Sequence, residues 1–134
     1  MVADTISSRR RIALIAVRAL VAFAFIVAGG AKLIGVPMML TVFEHVGLGQ
    51  WFRYATGAIE IGGAIFLLTS RFVGLASVLL ALTMVGAVVA HSTAVPGSPL
   101  PALVLLALCA TVAWSYRART AALIGLSQTR QVAA

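Results

Sequence analysis

The chain has 134 residues, of which 62% are hydrophobic and only 10% charged. No soluble domain of this size hides so much apolar surface, and disordered chains do not carry it, so composition points to a single integral membrane domain. The net charge of +7 would suit nucleic acid in a soluble protein, but here the basic residues sit at the ends of apolar runs. There they act as topology signals, and no nucleic-acid partner is expected.

A membrane-crossing helix needs about 17–25 mostly apolar residues. Four segments meet that requirement, at about 12–33, 51–70, 72–90 and 100–116. Lipid offers no partner to open backbone groups, so the expected form is all-α, an integral membrane four-helix bundle. The first run follows "SSRRR". A twin-arginine export signal would begin in a similar way, but the apolar run is long for one and three more spans follow it. "GVP" at 35–37 ends this span.

Next comes "PMMLTVFEHVGLGQW", in which Met39, Val42, Phe43 and Val46 recur at helical spacing while Thr41, Glu44 and His45 lie off that face. The pattern predicts a short amphipathic helix at the outer interface, between the first and second spans. "TSR" at 69–71 separates the second and third spans, and the Pro- and Gly-rich segment 91–101 precedes the fourth. The one cysteine, Cys109, lies in an apolar run and reads as a small buried hydrophobe. No metal-ligand spacing is present, and no phosphate-loop, dinucleotide or nucleophile-elbow motif.

Arg9, Arg10 and Arg11 precede the first span, Arg71 lies between the second and third, and Arg117, Arg119 and Arg130 follow the fourth. All fall on one side when both termini are cytoplasmic, with basic tails at 1–11 and 117–134. The opposite side holds Lys32 and Arg53, partly offset by Glu44. Trp51 and Tyr54 then mark the outer interface, and Trp114 and Tyr116 the inner one. The expected location is the cell membrane, multi-pass, with one domain over 1–134.

Glu60 is one of only three acidic residues and falls in the middle of the second span. A carboxylate there is expected to face the bundle interior and find a partner. Its own helical face carries Arg53, Thr56, Gly57, Ala64 and Leu67, and most of the near ones are small, which admits a neighbour. On the first span Arg18, Phe25, Gly29 and Lys32 share a face. Counting ~1.5 Å of rise per residue places Arg18 about 6 Å from Glu60 in depth and Lys32 about 15 Å away, so Arg18 is the expected partner. On the third span Ser77, Met84 and His91 form one stripe. These positions predict a polar cluster of Arg18, Lys32, Glu60 and His91, walled by Phe25, Gly29, Gly57, Ala64 and Met84. His45 is too far out to pair with His91 as a haem ligand.

The stretch "RALVAFAFIVAGGAKLIGVP" at 18–37 resembles the opening helix of DoxX-like membrane proteins, with an early arginine and a closing glycine and lysine. "RYATGAIEIGGAIFLLTSRFVGLASVLLALTMVGAVVAHS" at 53–92 is similar to the rest of that pattern, with a glycine–glutamate turn and a third helix ending in histidine. The resemblance spans about 18–114. It implies a small four-helix membrane protein, mainly bacterial, whose relatives are linked to membrane redox and thiol-stress systems, one of them to a thiosulfate:quinone oxidoreductase. Distant eukaryotic relatives act in receptor assembly. The family's polar positions fall on Arg18, Lys32, Glu60 and His91.

Several functions fit these residues. The leading one is a scaffold or accessory subunit of a membrane-associated redox system, with the polar pair acting as a structural clasp. A second is a binder of a quinone-like or lipidic molecule, with quinone as the cofactor, or a membrane enzyme using Glu60 as general acid or base with Arg18. A small proton-coupled transporter fits less well, because a paired carboxylate ionises readily and carries protons poorly. The expected partners are the lipid bilayer, a membrane or redox protein, and further copies of the chain.

Overall fold

The computed structural model describes residues 2–125 and is all-α. Six helices follow in order, α1 (Val2–Ile34), α2 (Pro37–Val46), α3 (Gln50–Leu68), α4 (Val73–Thr93), α5 (Leu100–Ser115) and α6 (Arg117–Leu123), with no strand among the described residues. The breaks follow from local chemistry. Gly35 closes α1 with a φ of +72° and Pro37 opens α2. Gly47 and Gly49, both at positive φ, separate α2 from α3.

The last three expected spans match α3, α4 and α5 to within three residues at each end. The first does not. α1 begins at Val2 rather than near residue 12, so Arg9, Arg10 and Arg11 belong to its helical run instead of preceding it. No glycine or proline interrupts that stretch, and arginine is a good helix former. α4 likewise runs on through Thr93, placing His91 in its last turn rather than at the start of a loop. Residues 126–134, with Arg130 and half of the expected second tail, lie outside the described residues.

Among the described residues two helical stretches, Ser7–Ile34 and Val73–Thr93, are long and apolar enough to cross a membrane, and α5 with α6 makes a third if the pair, bent by 66°, counts as one. α3 has 19 residues but is more polar, with Arg53 and Glu60 on its buried side. The molecule's surface is apolar. Ile12, Leu20, Phe23 and Val27 of α1, Ile65 and Phe66 of α3, Leu82 and Val89 of α4 and Val104 of α5 are all exposed. A soluble monomer does not present such a surface, whereas hydrocarbon accepts it.

The interior joins Val21, Ala22 and Phe25 of α1, Ala64 and Leu67 of α3, Val73, Ala76, Leu80 and Met84 of α4, and Ala102, Cys109 and Val112 of α5. α1 packs along α3 and α4 along α5, α3 also meets α4, and α1 touches α5. α1 and α3 approach each other backbone to backbone. A Cβ built on Gly29 would stand 2.8 Å from Ile61 Cγ1 and 2.9 Å from the Gly57 carbonyl, and one on Gly57 would stand 3.1 Å from the Gly29 carbonyl and from Lys32 Cβ. Lipid tails are as apolar as leucine, so helix association in a bilayer rests on close packing of this kind.

This crossing is testable by one methyl group. Gly29→Ala should lower the melting temperature in detergent, with overpacking of about 1–3 kcal/mol. Gly30→Ala, where nothing lies within 4 Å of the added Cβ, should be neutral or slightly stabilising. Equal shifts for the two variants would mean that the helices do not meet at Gly29.

Candidate functional site

The buried charged groups, Arg53 and Glu60, lie along the α1–α3 seam. The two helices run antiparallel, and three basic side chains tie them at three levels. At the middle level Lys32 Nζ donates to both carboxylate oxygens of Glu60, at 3.0 and 2.8 Å. Glu60 is 1% exposed. The lysine side chain is 15% exposed.

At one end of the seam, Arg53 of α3 reaches the end of α1. Its Nη1 donates to the Lys32 carbonyl and its Nε to Gln50 Oε1 at 2.7 Å, while the guanidinium lies 4.2 Å from the Tyr54 ring centre. That end of α1 is a Schellman turn, in which Val36 N–H donates to the Ala31 carbonyl and Gly35 N–H to the Lys32 carbonyl. At the other end, Arg18 of α1 reaches the end of α3. Its Nε donates to the Leu67 carbonyl at 3.0 Å, its Nη2 to the Thr69 carbonyl at 3.5 Å and its Nη1 to the Tyr116 hydroxyl at 3.3 Å. Each helix therefore caps the C-terminus of the other with an arginine, where orphan carbonyls and the negative end of the helix dipole favour a cation.

The expected Arg18–Glu60 pair is thus replaced by Lys32–Glu60. A depth count that sets the start of the first span level with the end of the second carries no information on where the helices cross or on side-chain direction. Lys32 Cβ in fact lies beside Gly57, only one turn from Glu60. In antiparallel helices, moreover, each Cα–Cβ bond tilts toward its own N-terminus, so the two side chains lean toward each other. Arg18 lies at the opposite end of the seam, occupied by carbonyls.

Phe25, Ala64 and Met84, expected to wall a pocket, are packed in the core. Gly29 and Gly57 form the helix crossing. Apolar grooves open on the outer surface, among them one of about 400 Å³ between α4 and α5 and one of about 250 Å³ between α3 and α4, and none of the four polar residues lines either of these. His91 stands apart in the last turn of α4. Its Nδ1 is buried with no hydrogen-bond partner among the described residues, close to Gly97. The structure thus joins Lys32 to Glu60 and brings neither Arg18 nor His91 to that pair by hydrogen bonding.

Arg53 and Tyr116 are the contributors that sequence reasoning missed. Arg53 lies two turns before Glu60 on the same face of α3, and that spacing was the available signal. Tyr116 shows no such signal, since its partner is a side chain from the far end of the chain. α2 is held over this end of α3 by the Phe43–Phe52 ring contact at 5.9 Å and by Gln50 Nε2 donating to the Leu40 carbonyl at 3.4 Å.

Among known proteins, the DoxX-like family model matches residues 16–115. The match covers most of the chain and all of α3 and α4, and the chain belongs to the DoxX-like family. No curated protein and no solved structure matches it.

The geometry makes a sharp statement about coupling. Removing one partner of a buried pair costs about 3–5 kcal/mol, while replacing both with apolar residues is far milder. Glu60→Met alone should therefore destabilise the protein in detergent more than Lys32→Met with Glu60→Met. Arg18→Leu should add independently to Glu60→Met, because the two residues share no partner. A double-mutant cycle that shows strong coupling to Arg18 and none to Lys32 would overturn the assignment.

Proposed function

We propose that this member of the DoxX-like family is a four-span membrane scaffold, an accessory subunit that holds or presents a partner of a membrane-associated redox system. On this reading α1, α3, α4 and α5 cross the bilayer as one bundle over the whole chain. α2 lies on the outer surface over the α1–α3 end, and both termini are cytoplasmic. The orientation is supported by where the free cations lie. Exposed Arg71, Arg117 and Arg119 fall at the Arg18 end of the seam. At the other end Lys32 is engaged by Glu60 and Arg53 is buried against a backbone carbonyl.

The observation that carries the scaffold reading is the closed state of the polar seam. Glu60 has both oxygens occupied by Lys32, and the residues beside it are in the core or at a backbone crossing. A buried ion pair of this kind adds little stability but selects one packing arrangement. A quinone or other carbonyl ligand at Glu60 would have to break the pair and open the core, and a proton carrier would have to give up a partner of opposite charge. The partner that suits a scaffold is a membrane redox protein or a second copy of the chain.

Two measurements test this. A topology reporter inserted near Gly97 should behave as external and one placed after Gly125 as cytoplasmic. The reverse at either site would remove the four-span arrangement. For function, a charge-free seam (Lys32→Met with Glu60→Met) should still co-purify with the membrane partners of the wild type and should still complement a deletion strain under thiol-oxidising stress. A wild-type sample that carries one quinone per chain, lost in Glu60→Gln while the fold persists, would replace the scaffold by a ligand-binding protein.

A further inference from the structure

The groove between α4 and α5 lies away from the polar seam. It has a volume of about 400 Å³ and is lined by apolar side chains, among them Val78, Leu82, Val85 and Ala110, until it reaches Trp114 and Arg117 at one end. From Val78 to Val85 it follows α4 for about 10 Å at ~1.5 Å per residue. The cation at its mouth is held in place. Arg117 Nη1 donates to the Trp114 carbonyl at 2.7 Å, and the guanidinium lies 4.3 Å from the Trp114 ring centre. Its other N–H donors meet no acceptor among the described residues.

We propose that this groove is a binding site for an anionic phospholipid, with an acyl chain along α4 and α5 and the phosphate on Arg117. The apolar trough suits methylenes, and the free face of the guanidinium suits phosphate oxygens, which it can bind through two parallel N–H donors. Trp114, exposed beside it, is the residue type that settles at headgroup level. A second copy of the chain is the competing occupant, which the Ala110→Phe arm below distinguishes. The proposal uses the four-span reading only to set Arg117 at headgroup depth, and the topology reporters test that reading separately.

The test is lipid retention by the full-length protein, read by native mass spectrometry after exchange in micelles containing equal phosphatidylglycerol and phosphatidylcholine. The wild type should retain phosphatidylglycerol preferentially, and 10 mM inorganic phosphate should not displace it. Arg117→Gln should reduce the preference about fivefold, the factor expected for one basic contact to an anionic headgroup. Arg71→Gln, an equal charge change at the same end but outside the groove, should leave it intact. Ala110→Phe, on an exposed lining position, should expel both lipids without unfolding the protein. Equal retention of the two lipids by the wild type, or equal effects of Arg71→Gln and Arg117→Gln, would overturn the proposal. So would displacement by phosphate alone, or a dimer that Ala110→Phe dissociates while lipid retention is unchanged.

Discussion

Everything in this protein is referred to the register between α1 and α3. Two glycines let the backbones touch, and that contact sets which residues lie at the same depth. Once Gly29 faces Gly57, Lys32 faces Glu60, the end of α1 faces Arg53 and the end of α3 faces Arg18. A shift by one helical turn would leave a carboxylate, two arginines and several terminal carbonyls without partners in a medium that supplies none. The penalty for slippage is therefore paid at several points together, and the register is held more firmly than any single bond would hold it.

The two arginines differ from the ion pair in what they do. Lys32 and Glu60 satisfy each other, and both could be replaced by apolar residues. Arg18 and Arg53 satisfy backbone carbonyls, which no substitution removes. Loss of Arg18 would take the side-chain donor from the Leu67 and Thr69 carbonyls at the end of α3, whereas the Lys32 carbonyl beneath the α2 connection would keep the Gly35 N–H. On the proposed scaffold reading, such fixed ends matter more than a reactive centre, because they hold the outer faces of the helices in place relative to one another.

Much of this architecture was legible in the sequence. Gly and Pro punctuation located α3, α4 and α5, and the spacing of Met39, Val42, Phe43 and Val46 revealed α2, in which Phe43 is buried and Thr41, Glu44 and His45 are exposed. The need for Glu60 to be buried and paired was also legible, since lipid leaves no alternative. The identity of the partner was not. It depends on the level at which two helices cross and on the tilt of each side chain, and neither is a property of one helix alone. The caps escaped for another reason. Arg18 and Arg53 bind carbonyls, every residue carries one, and sequence does not reveal which are orphaned until helix ends are placed in space. The N-terminal extension of α1 carries no signal of its own, since arginines mark the edge of an apolar run and do not end a helix.

Cys109 gives this arrangement an intrinsic clock. It is the only sulfhydryl in the chain and is fully enclosed in the core with Val112 and Ala102 of the same helix. A thiol reagent can reach it only when α5 parts from its neighbours, so the labelling rate of the unmodified protein measures how often the bundle breathes. No engineered probe is required, and there is no second thiol to confuse the signal. Anything that tightens the assembly, whether a neighbouring protein or a lipid seated beside α5, would register as slower chemistry at a single sulfur atom.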